Sequence, residues 1–99
     1  MRLSDIAQVI RSKNAGPRRL TLDVMFANDA DYQRVAQSPA LSQEAIGRLY
    51  RLPAEQVAVI PYPLGRAIKI TLPRDTAGDP GDRDVYGAQQ HAPLLGVEI

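Results

Sequence analysis

The chain is 99 residues long, 44% hydrophobic and 23% charged, with twelve basic and eleven acidic residues, a formal net charge of +1 and no cysteine. That length has room for one hydrophobic core, so residues 1-99 are read as a single domain, and the composition excludes wholesale disorder. The near-balanced charge offers no long-range field for a nucleic acid or an anionic membrane, and the lack of thiols excludes disulfides, a thiol nucleophile and thiolate metal sites.

The opening Met1-Arg2-Leu3-Ser4-Asp5 has no apolar signal core. No apolar run approaches the roughly 20 residues of a spanning helix, so a cytoplasmic protein is expected. Leu3, Ile6, Ala7 and Ile10 recur at helical spacing, Ser4 is placed to cap and Gly16-Pro17 to stop, which predicts a short amphipathic helix over residues 5-13. From Arg18 the period changes to two. Leu20, Leu22, Val24 and Phe26 share one side of a predicted strand, with Arg19, Thr21, Asp23 and Met25 on the other.

Asn28 or Asp29 caps a predicted helix that turns Tyr32, Val35 and Ala36 inward and ends near Gln37, ahead of Pro39. Ser42 caps the next, with Leu41 stapled to Ile46 and the stripe continued by Leu49 and Tyr50. Gly47 costs that helix about 1 kcal/mol against alanine and marks close packing on a neighbour. Pro53-Ala54-Glu55-Gln56 reads as one helical turn, Val57 to Ile60 as a strand closed by Pro61 and Pro63, and Ala67 to Leu72 as its hairpin partner with Ile68, Ile70 and Leu72 inward, the chain reversing at Gly65. Residues 73-83 are dense in Pro, Gly and Asp and read as a long exposed loop, followed by a polar motif and a terminal strand over Leu94 to Ile99. This order predicts an α+β fold: a ferredoxin-like antiparallel sheet of three or four strands with helices packed on one face.

The densest polar chemistry lies in Asp84-Val85-Tyr86-Gly87-Ala88-Gln89-Gln90-His91-Ala92-Pro93, which gathers the chain's single histidine with two amides, a tyrosine and an aspartate. Imidazole carries protons near neutral pH, so His91 is the candidate acid or base. The structural alternative is that these side chains tie an irregular segment to the body or to another chain. Asp79, Asp82 and Asp84 offer oxygen ligands on a turn, but without EF-hand spacing and with Arg83 among them they read as a solvated turn, and no metal or cofactor is expected. Arg11, Lys13, Arg18 and Arg19 concentrate positive charge around the end of the first predicted helix, where compensation of the helix dipole competes with anion binding as their purpose. RNA binding of the sheet type needs aromatic residues on its central strands, and Arg66 to Leu72 has none.

Two blocks, Leu3-Ser4-Asp5-Ile6-Ala7 through Arg11-Ser12-Lys13-Asn14-Ala15-Gly16-Pro17 and Asp84 through Leu95, together with Ala67-Ile68-Lys69-Ile70-Thr71, carry a resemblance. The chain resembles the small AtuA-like ferredoxin-fold family, a family of unknown function. The resemblance implies a stand-alone counterpart of the small C-terminal domain of acyclic terpene utilisation proteins, encoded beside a larger AtuA-like subunit. It maps the motif positions onto Ser12, Lys13, Asn14 and Gly16 and onto Asp84, Tyr86, Gln89, Gln90 and His91, without assigning them roles. Arg18 and Arg19 lie outside the family motif.

The first functional expectation is a non-catalytic accessory subunit that works with a larger AtuA-like protein in carboxylic-acid or acyl-thioester catabolism, alone or as a homo-oligomer. A second is a small lyase or hydratase with His91 as acid or base while Lys13, Asn14 or Gln90 orients a carboxylate. It requires the two blocks to meet, within about 10 Å of one another. A third is a ligand-sensing regulatory domain.

Overall fold

The computed structural model describes residues 1–16, 18–74 and 90–99. In chain order the elements are α1 (Leu3–Ile6), β1 (Val9–Asn14), β2 (Arg19–Met25), α2 (Asp29–Ala36), α3 (Gln43–Tyr50), β3 (Ala58–Tyr62), β4 (Ala67–Pro73) and α4 (Ala92–Leu95). Three 3-10 turns, Pro39–Leu41, Ala54–Gln56 and Pro63–Gly65, connect them. Among the described residues the strands form one antiparallel sheet in the order β1-β2-β4-β3, an α+β architecture.

Register and alternation define the two faces. Ser12 lies opposite Leu22, Leu22 opposite Ile70, and Ile70 opposite Val59, so these four share a face. That face is the core side: Leu20, Leu22, Val24, Ile68, Ile70 and Leu72 are buried in one cluster with Tyr32, Val35 and Ile46 from α2 and α3 and with Leu3 and Leu94 from α1 and α4. Full burial of an aliphatic side chain of this kind contributes roughly 1.5–3 kcal/mol. Phe26 and Tyr32 close one end of the core edge to face, with centroids 6.1 Å apart.

The predicted capping chemistry is present. The Asn28 side chain accepts from the Asp31 N–H at the start of α2, and the Ser42 hydroxyl accepts from the Ala45 N–H at the start of α3. Leu41 and Ile46 are both buried, as the staple requires. Gly47 is a close-packing position: a Cβ there would lie 2.7 Å from the Leu52 carbonyl oxygen.

Other expectations are corrected. Residues 5–13 are not one helix: α1 stops at Ile6, Arg2 rather than Ser4 precedes its first turn, and Val9–Asn14 forms edge strand β1 against β2. Ile10 satisfies a helical and a β pattern equally. The hydrogen-bonding demand of β2's outer side, met from Val9↔Met25 to Asn14↔Leu20, decides for the strand. Leu94 to Ile99 is not a strand either, because Pro93 sits in the first turn of the short helix α4 and only an isolated bridge pairs Glu98 with Arg2. The β3–β4 reversal runs through Pro63–Gly65, and its left-handed residue is Arg66, with φ +48°, rather than Gly65. Its guanidinium is anchored on Asp29 at 2.9 Å and on the Ala27 carbonyl at 3.1 Å. Thr21, expected on a polar outer face, is buried between its cross-strand neighbours Lys13 and Thr71.

Candidate functional site

On β1 the core-side positions are Ile10, Ser12 and Asn14, so two of the three are polar. A central strand would not tolerate this, since a polar group removed from water without a partner costs on the order of 1–3 kcal/mol. Here the partners come from the far end of the chain. The His91 backbone N–H donates to Ser12 Oγ at 3.0 Å, and the same oxygen lies 3.4 Å from His91 Nδ1. Oγ can accept from the backbone N–H and still either donate to Nδ1 or accept from it, so this one hydroxyl serves both groups of His91.

Gln90 is held from the opposite side, where the Tyr50 hydroxyl at the end of α3 donates to its carbonyl oxygen at 2.8 Å. Burial disfavours the phenolate and raises the Tyr50 pKa well above its ordinary value, so the hydroxyl remains a donor. Ser12, 7% exposed, and Tyr50 thus clamp Gln90-His91 between β1 and α3, with His91 half-buried.

Two positions along β1 on the same face, Asn14 Oδ1 accepts from the Arg74 guanidinium at 2.8 Å. The Arg74 backbone N–H donates to the Arg18 carbonyl at 2.7 Å. Gly16 adopts φ +84° and Arg18 φ +56°, both left-handed, in the turn from β1 to β2. At Gly16 the requirement is conformational, because a Cβ would meet nothing within 4 Å.

Of the sequence-predicted site residues, the structure therefore brings together Ser12, Gln90 and His91, with Asn14 two positions along β1 on the same face and Gly16 in the adjoining turn. The two motif blocks meet. Lys13 does not join them: by alternation it stands on the open face, exposed. Asp84, Tyr86 and Gln89 lie outside the described residues, as do Asp79 and Asp82 and the expected loop beyond Arg74. Among the described residues no three His, Cys, Asp or Glu side chains gather to hold a metal ion. No described helix is long and apolar enough to cross a membrane.

Sequence reasoning missed Tyr50 and Arg74. Tyr50 closes an apolar stripe and reads as core. Arg74 left a clearer signal, since it continues the inward parity of Ile70 and Leu72, and a guanidinium at such a position requires a buried or half-buried acceptor.

The fold and this polar seam define a small α+β protein whose chain-end motif is hydrogen-bonded onto an edge strand. A family model described as a domain of unknown function, DUF4387, matches residues 3–98, and the chain belongs to that family. No curated protein and no solved structure matches it.

Proposed function

We propose that the protein is a small accessory subunit whose edge strand and tail motif form part of an interface or site with a larger protein. The supporting observation is the Ser12–His91 junction, which fixes a half-exposed histidine beside an edge strand. The resemblance to AtuA-like proteins makes a larger AtuA-like chain the partner, with carboxylic-acid or acyl-thioester catabolism as the setting and the cytoplasm as the compartment. For the fold, a ferredoxin-like relationship is supported by β2 and β3 running in the same direction with β4 between them, a split β-α-β unit. Co-expression of the two chains followed by size-exclusion chromatography tests the reading. Co-elution is expected, and clean separation at micromolar concentration overturns it; light scattering on the isolated chain reports any homo-oligomer.

A second reading, a small lyase or hydratase, is favoured by the same contact, since Ser12 orients the imidazole and Asn14 lies on the same face. It predicts dehydration or addition activity on a hydroxy acid with a pH profile that His91→Gln abolishes; unchanged activity in that variant removes His91 as the acid or base.

A further inference from the structure

All four helices contribute to the core-side cluster, which leaves the opposite face of the sheet without a helix among the described residues. Arg11 and Lys13, read as cations at a helix end, belong to that open face once residues 9–14 are a strand. Register resolves the face into rows that cross the strands. One row is apolar on every strand: Val9, Met25, Ala67 and Tyr62, in the order β1, β2, β4, β3. The next row is Arg11, Asp23, Lys69 and Ile60 in the same order. Both rows lie toward the β3–β4 turn, on the side of the sheet away from Arg74. Val9, Ile60 and Tyr62 are 38%, 41% and 50% exposed, a contiguous apolar display of the kind that marks an interaction surface.

The charges of the second row are unevenly matched. Asp23 is engaged by Arg11 at 3.3 Å, whereas Lys69, its neighbour on the other side, makes no ion pair among the described residues. A carboxylate has room for a second cationic donor, so Asp23 is not saturated by Arg11. A two-fold axis parallel to the strands and midway between β2 and β4 reverses the order of the strands in a second copy laid on this face. Asp23 of each copy then faces Lys69 of the other. The same operation sets Met25 against Ala67 and Tyr62 against Val9, a larger side chain against a smaller one each time, while Arg11 meets Ile60. No like charges oppose one another in either row. Stacked sheets lie about 10 Å apart and are turned by about 30°, and the pairs nearest the axis, Asp23–Lys69 and Met25–Ala67, are the least displaced by that turn.

We propose that the open face docks on the same face of a second copy, forming a two-fold dimer held by reciprocal Asp23–Lys69 pairs and by the row of Val9, Met25, Ala67 and Tyr62. Two rows make a smaller surface than stable dimers use, so the expected Kd is weak, roughly 10–500 μM. The dimer does not depend on the accessory-subunit reading, because its test needs only the isolated chain. That test is sedimentation velocity of the full-length protein from about 10 μM to about 1 mM at low salt, a range that brackets the expected Kd. Mass should rise from one chain toward two, and less so at high salt. Lys69→Glu and Asp23→Lys should each weaken association about tenfold or more, since each variant brings like charges together. An equimolar mixture of the two should dimerise at least as tightly as the parent, because every facing pair is again opposite in sign. Tyr62→Ser should weaken it about fivefold through lost apolar contact. Lys69→Glu leaves the Arg11–Asp23 pair in place and Tyr62 is exposed, so these two variants decide the matter even if circular dichroism shows that Asp23→Lys disturbs the fold. A monomer throughout, a dimer indifferent to Lys69→Glu and Tyr62→Ser, or a mixture of folded charge variants that stays monomeric would each overturn the proposal.

Discussion

Strand β1 ends the sheet with a serine and an asparagine on its core side and receives a histidine from 79 positions away. Strand β3 ends the other side with Pro61, followed directly by Pro63, and with exposed Ile60 and Tyr62. Both are edges and must avoid offering a free row of backbone donors and acceptors to another chain. β3 meets the requirement locally, since proline lacks the N–H and is tolerated on an edge. β1 instead carries polar core-side side chains whose partners come from far along the chain, which makes that edge part of the cooperative fold and gives it a chemistry that β3 lacks.

The contrast breaks first at Leu94, the fully buried residue that seats α4 on the core. Leu94→Ala should cost about 2–5 kcal/mol in urea unfolding. A loss near zero would make the tail dispensable and the two edges equivalent. Next is Ser12→Ala, which leaves the His91 N–H without its acceptor and should cost about 1–3 kcal/mol in the same measurement.

Tyr50→Phe removes one neutral hydrogen bond to Gln90, worth about 1 kcal/mol near neutral pH. It also carries a pH signature. Burial raises the folded-state pKa above the ordinary tyrosine value of 10.0, so the stabilisation is fully present below that pH and is lost as pH rises toward the folded value. The parent should therefore lose stability above about pH 10, and the phenylalanine variant should show a shallower alkaline decline in a pH series of denaturant midpoints. The smallest effect belongs to the other edge: Leu64, fully exposed in the turn after β3, should change stability by less than about 0.5 kcal/mol when replaced by alanine. A larger loss would show that the β3 edge is also tied into the fold.

The same contrast explains what the sequence made legible. β2, β4, α2 and α3 were readable because their inward positions are apolar at one clear period, as at Leu20, Leu22 and Val24, and because Asn28 and Ser42 cap their helices locally. β1 was hidden because its inward residues beyond Ile10 are Ser12 and Asn14, whose partners His91 and Arg74 lie far along the chain. With those partners unknown, Leu3, Ile6, Ala7 and Ile10 formed a better helix than strand. The chain end was misread for a related reason: Leu94, Val97 and Ile99 all pack on the core, but Pro93 starts a helical turn where alternation suggested extension. Places where local pattern and fold disagree concentrate at the polar junction, as expected where a chain is shaped for something besides stability.

Gly47 bears on the core and also on a surface cavity of about 850 Å³ lined by Arg18, Arg19, Leu52 and Glu55 among others. Its missing side chain lets α3 press against the Leu52 carbonyl, and Leu52 in turn forms part of the cavity wall. A methyl group at position 47 would displace that wall while leaving Arg18, Arg19 and Glu55 chemically intact. The glycine therefore offers a purely geometric handle on the cavity, one that changes its width without changing its charge.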